Sequence, residues 1–292
     1  MRTSMELKES HDHWDIEIKP RGNNFSLNLG EVWRYRDLLK MYIRRDIVTM
    51  YKQTVLGPLW FVIQPMFTTL TFLFIFGGIA QIPTDGLPQL LFYLSGVVCW
   101  NYFSDCMTRT STTFSANAHV FSKVYFPRLV VPFSAITSNL VKFGIQLLLF
   151  LAFYFYYYFT GANIEPNAYI FLFPILILMI AGLAFGFGII VSSMTTKYRD
   201  LAILFTFIVS LWMYATPVIY PLSVMQGKYE KYMWLIQLNP LSSILEAMRY
   251  GFMGQGTFTW FSLGYSFIFT IVIMIAGIWM FNKVERSFID VV

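Results

Sequence analysis

Long apolar stretches separated by short polar turns fill most of the chain. No charged residue occurs over 53–84, 86–104, 143–164, 166–196, 201–227 or 250–282, and about 20 apolar residues suffice to cross a bilayer as a helix. Runs such as Phe171 to Ile180 do not alternate apolar with polar positions, which excludes the strands of an outer-membrane barrel. The pattern predicts an all-α polytopic membrane protein with six transmembrane helices near 59–80, 88–108, 132–157, 168–192, 201–219 and 260–281.

Two segments depart from that pattern. Over residues 31–52, at 100° per residue, Val32, Tyr35, Leu39, Ile43, Ile47 and Met50 share one face, while Arg34, Asp37, Lys40, Arg44 and Arg45 point away. Arg36 and Asp46 intrude on the apolar face. This predicts an amphipathic helix that either lies at the headgroups or docks a protein, with Gly57 and Pro58 turning the chain into the first span. Residues 221–256 are apolar at 232–236 and 244–245, yet Pro240, Glu246 and Arg249 interrupt any window long enough to span. They are expected to form an outer re-entrant helical hairpin that returns to its own side. Glu246 and Arg249, three apart, can pair on one helix face, and the turn at Asn239 and Pro240 needs protein or an aqueous cavity around it, which suits an outer gate.

Composition agrees with burial in lipid: of 292 residues 57% are hydrophobic and 13% charged, which excludes a water-soluble globule. Lys and Arg number 21 against 16 Asp and Glu, and their placement gives this surplus its meaning. Seventeen fall on one side of the spans, ten of them before the first, and the opposite side holds only Lys228, Lys231 and Arg249. The positive-inside rule puts both termini, and the polar segment 1–30 as a tail, in the cytoplasm. Basic charge therefore reads as membrane topology, with no nucleic-acid partner implied. Lys142 alone falls within a span.

Chemistry is largely absent. His11, His13 and His119 lie outside the spans, so no embedded acid/base or metal cluster can be assembled. Asp105 sits near a span's cytoplasmic end and the other carboxylates lie in loops or tails, which argues against ion coupling. Cys99 and Cys106, seven apart on one helix, stand roughly 10 Å apart and cannot pair with each other. No G-x-x-x-x-G-K-[ST] motif occurs; if ATP drives this protein, another chain binds it. Gly182, Gly186 and Gly188 allow close helix approach. The run Phe153 to Phe159 sits where an outer aromatic belt is expected. Other rings can line a pathway, because flat aromatic faces stack on the C–H faces of sugars; Trp60, Phe67, Trp212 and Tyr214 are the candidates.

Further marks are Arg36-Asp37-Leu38-Leu39, Leu56-Gly57-Pro58-Leu59-Trp60 with Pro65, Lys123-Val124-Tyr125-Phe126-Pro127-Arg128, Lys197-Tyr198-Arg199-Asp200-Leu201, Thr216-Pro217-Val218-Ile219-Tyr220, Asn239-Pro240-Leu241, and Glu246 with Arg249. Through them residues 31–290 resemble the membrane subunit of the ABC transporters that export O-antigen, teichoic acid or capsular polysaccharide. The resemblance implies a homodimer enclosing a channel in the bacterial cytoplasmic (inner) membrane. It also implies two copies of a separate cytoplasmic ATPase that bind ATP and Mg, no cofactor in this chain, and a glycan carried on a polyprenyl pyrophosphate lipid. Arg44, Arg45, Lys123, Tyr125, Phe126, Pro127 and Arg128 would couple to the ATPase. The Phe126 ring would be buried in a partner cleft, with Arg128 fixing its orientation. Lys197, Tyr198, Arg199 and Asp200 would gate lipid entry; Asn239, Pro240, Glu246 and Arg249 would form the outer gate. The same architecture moving a small lipid or drug is the alternative, and a membrane-bound transferase is disfavoured by the missing acid/base cluster.

Overall fold

The computed structural model describes residues 29–291 apart from 53, 125, 199 and 229. Every regular element among them is helical. The amphipathic segment breaks at Tyr35 into α1 (Leu29–Arg34) and α2 (Arg36–Tyr51). Val32 and Tyr42 are buried, Tyr35, Leu39, Ile43 and Ile47 are half-buried, and Arg34, Asp37, Lys40, Arg44 and Arg45 face outward. Arg36 is also exposed, while Asp46 stays half-buried and holds Arg45 Nη2 at 2.8 Å. The covered face packs on the start of α6 (Val130–Phe159).

Four segments have the length and apolar composition to cross a membrane: 57–79, which contains α3 (Trp60–Phe72); α6; 168–195, which contains α7 (Phe173–Thr195); and 260–285 within α12 (Trp260–Val291). Each overlaps a predicted span. α3 carries Pro65 inside it and widens to a π-helix over Leu73–Ile79, a change of winding that accommodates irregularity in the hydrogen-bond ladder. α4 (Gln89–Ser111) has the length to span but is more polar, with Ser95, Asn101, Ser104 and Asp105 along it. It can afford this because α3, α6, α7, α8 (Leu201–Ala215) and α11 (Pro240–Met253) surround it, leaving Leu91 to Trp100 buried on every side. α8 is apolar but short. The predicted helix over 201–219 ends at Ala215 because Thr216, which precedes Pro217, is extended at φ −103° and ψ 142°; the pyrrolidine ring clashes with a helical predecessor.

α7 passes between α4 and α12, and glycines set the distance. A Cβ on Gly188 would lie 2.6 Å from Thr110 Cβ, and one on Gly186 2.6 Å from Ile273 Cγ2 and 2.9 Å from the Ile273 carbonyl carbon. Gly277 approaches the other way, its missing Cβ 2.7 Å from the Gly186 carbonyl oxygen. The small-residue spacing read from 182 and 186 is thus a helix crossing.

The segment expected to form a hairpin folds as α9 (Leu222–Lys228), α10 (Glu230–Gln237) and, after a turn at Asn239, α11. Asn239 Oδ1 accepts the Leu241 N–H at 3.2 Å and Pro240 fills the first turn, a side-chain cap followed by proline where no amide hydrogen is needed. α11 is buried almost throughout and ends at Gly254 with φ 74°. There a Cβ would meet the Glu165 carbonyl oxygen at 2.6 Å. α5 (Thr113–Phe121) joins α4 to the turn before α6. A second, smaller core forms around it from Val32, Tyr42, Phe114, Phe121, Phe126, Phe185 and Phe281.

Candidate functional site

At one end of the bundle Arg249 is fully buried, yet each face of its guanidinium is used. Nη1 donates to the Pro217 carbonyl at 2.6 Å and to Glu246 Oε1 at 3.3 Å, Nη2 donates to the Val218 carbonyl at 3.0 Å, and Nε donates to Ser95 Oγ at 3.3 Å. Its plane lies 3.8 Å from the centre of the Phe92 ring. Glu246 Oε2 accepts the Thr257 N–H at 2.9 Å. Asn239 Nδ2 donates to Thr216 Oγ1 at 2.8 Å. The planar five-donor fork of arginine suits two adjacent carbonyls and a carboxylate together. The predicted outer-gate residues Asn239, Glu246 and Arg249 thus lie together where α8 ends, with Pro240 beside them: Arg249 on the Pro217 and Val218 carbonyls, Asn239 on the Thr216 hydroxyl, and Glu246 on Arg249. Glu246 and Arg249 pair as their spacing predicted; Ser95, Phe92 and the two carbonyls are partners that no local pattern announces.

At the opposite end the predicted coupling residues divide. Phe126 is 5% exposed, its ring centre 5.6 Å from Phe121 and 6.1 Å from Tyr42. The resemblance would place this ring in a partner cleft; within this chain it is covered by Phe121 and Tyr42. A short loop following an amphipathic helix closes over that helix's own apolar face, and the phenyl group fills the space. Pro127 and Arg128 are buried with it; Arg128 Nη1 donates to the Glu285 carbonyl at 2.9 Å and its guanidinium lies 5.4 Å from the Phe121 ring centre. Lys123 and Val124 are exposed. Arg44 and Arg45 face outward as well, Arg45 lying 4.4 Å over the Tyr42 ring. Burial holds the Tyr42 phenol above its ordinary pKa against the opposing pull of Arg45. Tyr125 lies outside the described residues.

The turn between α7 and α8 exposes Lys197, Tyr198 and Asp200, with Lys197 Nζ 5.1 Å from the Tyr198 ring centre; Arg199 lies outside the described residues. Of the four aromatic candidates, Trp60, Phe67 and Tyr214 are exposed, Phe67 to 67%. Trp212 departs from them. It is half-buried, packing edge-on against Phe103 at 5.3 Å and Phe187 at 5.2 Å where α8 docks on α4 and α7.

One ion pair escaped the sequence reading. Lys142 Nζ on α6 lies 2.7 Å from Asp105 Oδ2 on α4, and 5.9 Å over the Phe61 ring of α3. A cation and a carboxylate in neighbouring apolar helices are the available signal, since each lowers the cost of the other.

A model of the ABC-2 type transporter family matches residues 37–253. An O-antigen export system permease protein RfbA of Klebsiella pneumoniae is 29% identical over 265 residues, covering 90% of this chain and 97% of that protein. The permease RfbA of Myxococcus xanthus is 27% identical over 219 residues, covering 75% and 81%. The polysialic acid transport protein KpsM of Escherichia coli is 24% identical over 249 residues, covering 83% and 92%.

Proposed function

Because the chain belongs to the ABC-2 type transporter family, we propose that it is the membrane subunit of an ATP-driven exporter of a lipid-linked, O-antigen-like polysaccharide. It acts in this reading as a homodimer in the bacterial inner membrane, with both termini in the cytoplasm and α4 and α8 completing six crossings. Two copies of a separate ATPase bind ATP and Mg and drive it. The relatives named for O-antigen and polysialic acid transport support the substrate class.

The observation that carries the reading is the surface of α3 and α8. Both leave a broad face uncovered, and it is not purely apolar: Gln64 and Thr71 are exposed beside Trp60 and Phe67 on α3, and Thr206 and Ser210 beside Phe207 and Tyr214 on α8. Lipid disfavours polar side chains, and an aqueous path disfavours a wholly apolar wall. Aromatic rings alternating with an amide and hydroxyls suit a sliding glycan: the rings accept C–H faces of any sugar, the Gln64 amide exchanges hydrogen bonds with its hydroxyls, and the Thr71, Thr206 and Ser210 hydroxyls, which donate to the Phe67, Ala202 and Thr206 carbonyls of their own helices, keep lone pairs to accept from them. A second copy facing these helices encloses the path. Near the cytoplasm the exposed Lys123 and Val124, rather than Phe126, meet the ATPase, and α2 carries the movement to α6. Arg249 and Glu246 hold the outer hairpin to the end of α8, so a shift of α8 moves the outer mouth.

Deleting the gene is expected to strip glycan from the cell surface and leave lipid-linked glycan inside, and restoring the wild-type chain to reverse both. Purified alone, the chain is expected to hydrolyse no ATP. Unchanged surface glycan in the deletion strain would refute the reading.

A further inference from the structure

Twenty-eight residues precede Leu29, where the described chain begins, and their charge is unevenly spread. Between Glu6 and Glu17 stand five carboxylates, Glu6, Glu9, Asp12, Asp15 and Glu17, with Lys8 as the one full cation among them. The chain as a whole carries a net charge of +5, so this stretch runs against its average. At its end Trp14, Ile16 and Ile18 alternate with Asp15 and Glu17. The helices that follow have the opposite character. On α2, Arg36, Lys40 and Arg44 recur every four residues and form one row, with Asp37, Met41 and Arg45 in the row beside it. All six are exposed, as are Trp33 and Arg34 on α1; Trp33 keeps 70% of its surface free and Met41 68%. Lys40 is paired with Asp37 and Arg45 with Asp46. Among the described residues no carboxylate pairs with Arg34, Arg36 or Arg44. Val32 and Tyr42 turn the other side of these helices into the smaller core, which leaves the cations and two large apolar side chains facing outward together.

We infer that residues 6–18 dock on this outward face of α1 and α2 in their own chain. Charge complementarity selects the occupant: five carboxylates meet cations of which three hold no carboxylate, while Trp14, Ile16 and Ile18 supply apolar partners for Trp33 and Met41. The connection is long enough. Residues 19–28 span up to about 33–36 Å when extended, and the helix axis from Leu29 to Arg45 measures only about 24 Å. Pro20, Gly22, Asn23 and Asn24 lie in that connection and are residue types that reverse a chain. No predicted span separates the two segments, so both lie on one side of the membrane whichever side that is. A tether of this length holds the segment at an effective concentration on the order of millimolar, enough to fill a contact of modest intrinsic affinity. The contact does not depend on the export reading, since it joins neighbouring parts of one chain.

The test combines Ser10→Cys with Met41→Cys in the full chain, in membranes of cells that make it, and follows disulfide formation under mild oxidation by peptide mass mapping. Cys99 and Cys106 are buried and do not compete. A crosslink within one chain is expected, about tenfold or more faster than that between Ser10→Cys and Lys123→Cys, an exposed position after α5. Raising salt from about 0.1 to 1 M should slow it about threefold or more, because the screening length falls from about 10 Å to about 3 Å. Arg36→Glu with Arg44→Glu should slow it about tenfold, and adding Glu9→Lys, Asp12→Lys and Asp15→Lys should restore it. Restoration separates charge pairing from a change of fold. A Met41→Cys position that couples only to a second copy or to another protein gives the face to that occupant and overturns the docking. A crosslink seen in phosphatidylcholine nanodiscs but lost in phosphatidylglycerol ones assigns the cations to anionic headgroups and overturns it as well. So does a rate no faster than the Lys123→Cys control, or one indifferent to both salt and charge reversal.

Discussion

Arg249 illustrates how one side chain can organise a buried polar site. Its fork joins α11 to α4 through Ser95 and to the end of α8 through two carbonyls. Removing it leaves Glu246, Pro217 and Val218 unsatisfied in an apolar surround. Arg249→Ala is therefore expected to destabilise by about 3–5 kcal/mol, the usual cost of breaking a buried pair from one side. Arg249→Lys should recover only part of this, since one ammonium cannot span both carbonyls and the carboxylate. Thermal unfolding in detergent ranks the three, and an alanine variant as stable as wild type would dismiss the clasp. Phe126 belongs to the same scale. Phe126→Ala opens a cavity among Phe121, Tyr42 and Leu129 and should cost about 3–5 kcal/mol locally, seen as faster hydrogen exchange in α2. Val124→Asp should leave that exchange unchanged and abolish co-purification with the ATPase. The opposite pattern would return the coupling role to Phe126.

Between elements, two glycines predict opposite outcomes. Gly186 lies against the Ile273 backbone, which cannot rotate away, so Gly186→Ala must separate α7 from α12 and is expected to cost about 1–3 kcal/mol. Gly144, within α6, has open space where a Cβ would go. Gly144→Ala should raise stability by about 0.5–1 kcal/mol, the helix preference of alanine over glycine. Melting temperatures of the two variants should move in opposite directions; a shared sign would show that close packing at Gly186 does not govern the crossing. The 168 and 201 spans illustrate what was legible at this scale. Apolar length located both, but the first opens with a 3-10 turn over Ala168–Leu172, and the second stops before Pro217. Proline could have announced the stop. The 3-10 turn reflects α11 packing against it, a contact from far along the chain.

At the scale of the whole molecule, the proposed channel makes accessibility the decisive quantity. Cysteines at Gln64 and Ser210 should react with a membrane-impermeant, water-soluble thiol reagent in the assembled transporter, whereas one at Ile268, exposed on α12, should be shielded by lipid. A cysteine at Phe207 should crosslink between two copies. Equal inertness at all four positions would remove α3 and α8 from the path. The Lys142 and Asp105 pair belongs to this scale as well, because it ties α6 to α4 where α3 leans across through Phe61. A swap of the two charges should keep the fold better than either neutralisation, as thermal unfolding would report.

Taken by itself, the sequence determined that the chain is helical and lipid-embedded, where its four long apolar helices lie and which face of 31–52 is apolar. These properties are local: a backbone in hydrocarbon must satisfy its own hydrogen bonds, and a helix repeats every 3.6 residues whatever surrounds it. It also brought Glu246 within reach of Arg249, since three residues are one turn. What tertiary structure alone decided is the direction of individual side chains and the identity of distant partners. Trp212 and Tyr214 are equally aromatic and two residues apart, yet one packs on Phe103 and Phe187 while the other is exposed. Phe126 turns inward, Arg249 finds carbonyls 31 and 32 residues away, and Lys142 finds Asp105 across 37. Each outcome depends on how one helix is rotated against its neighbours, and in helices apolar on every side no hydrophobic period records that rotation.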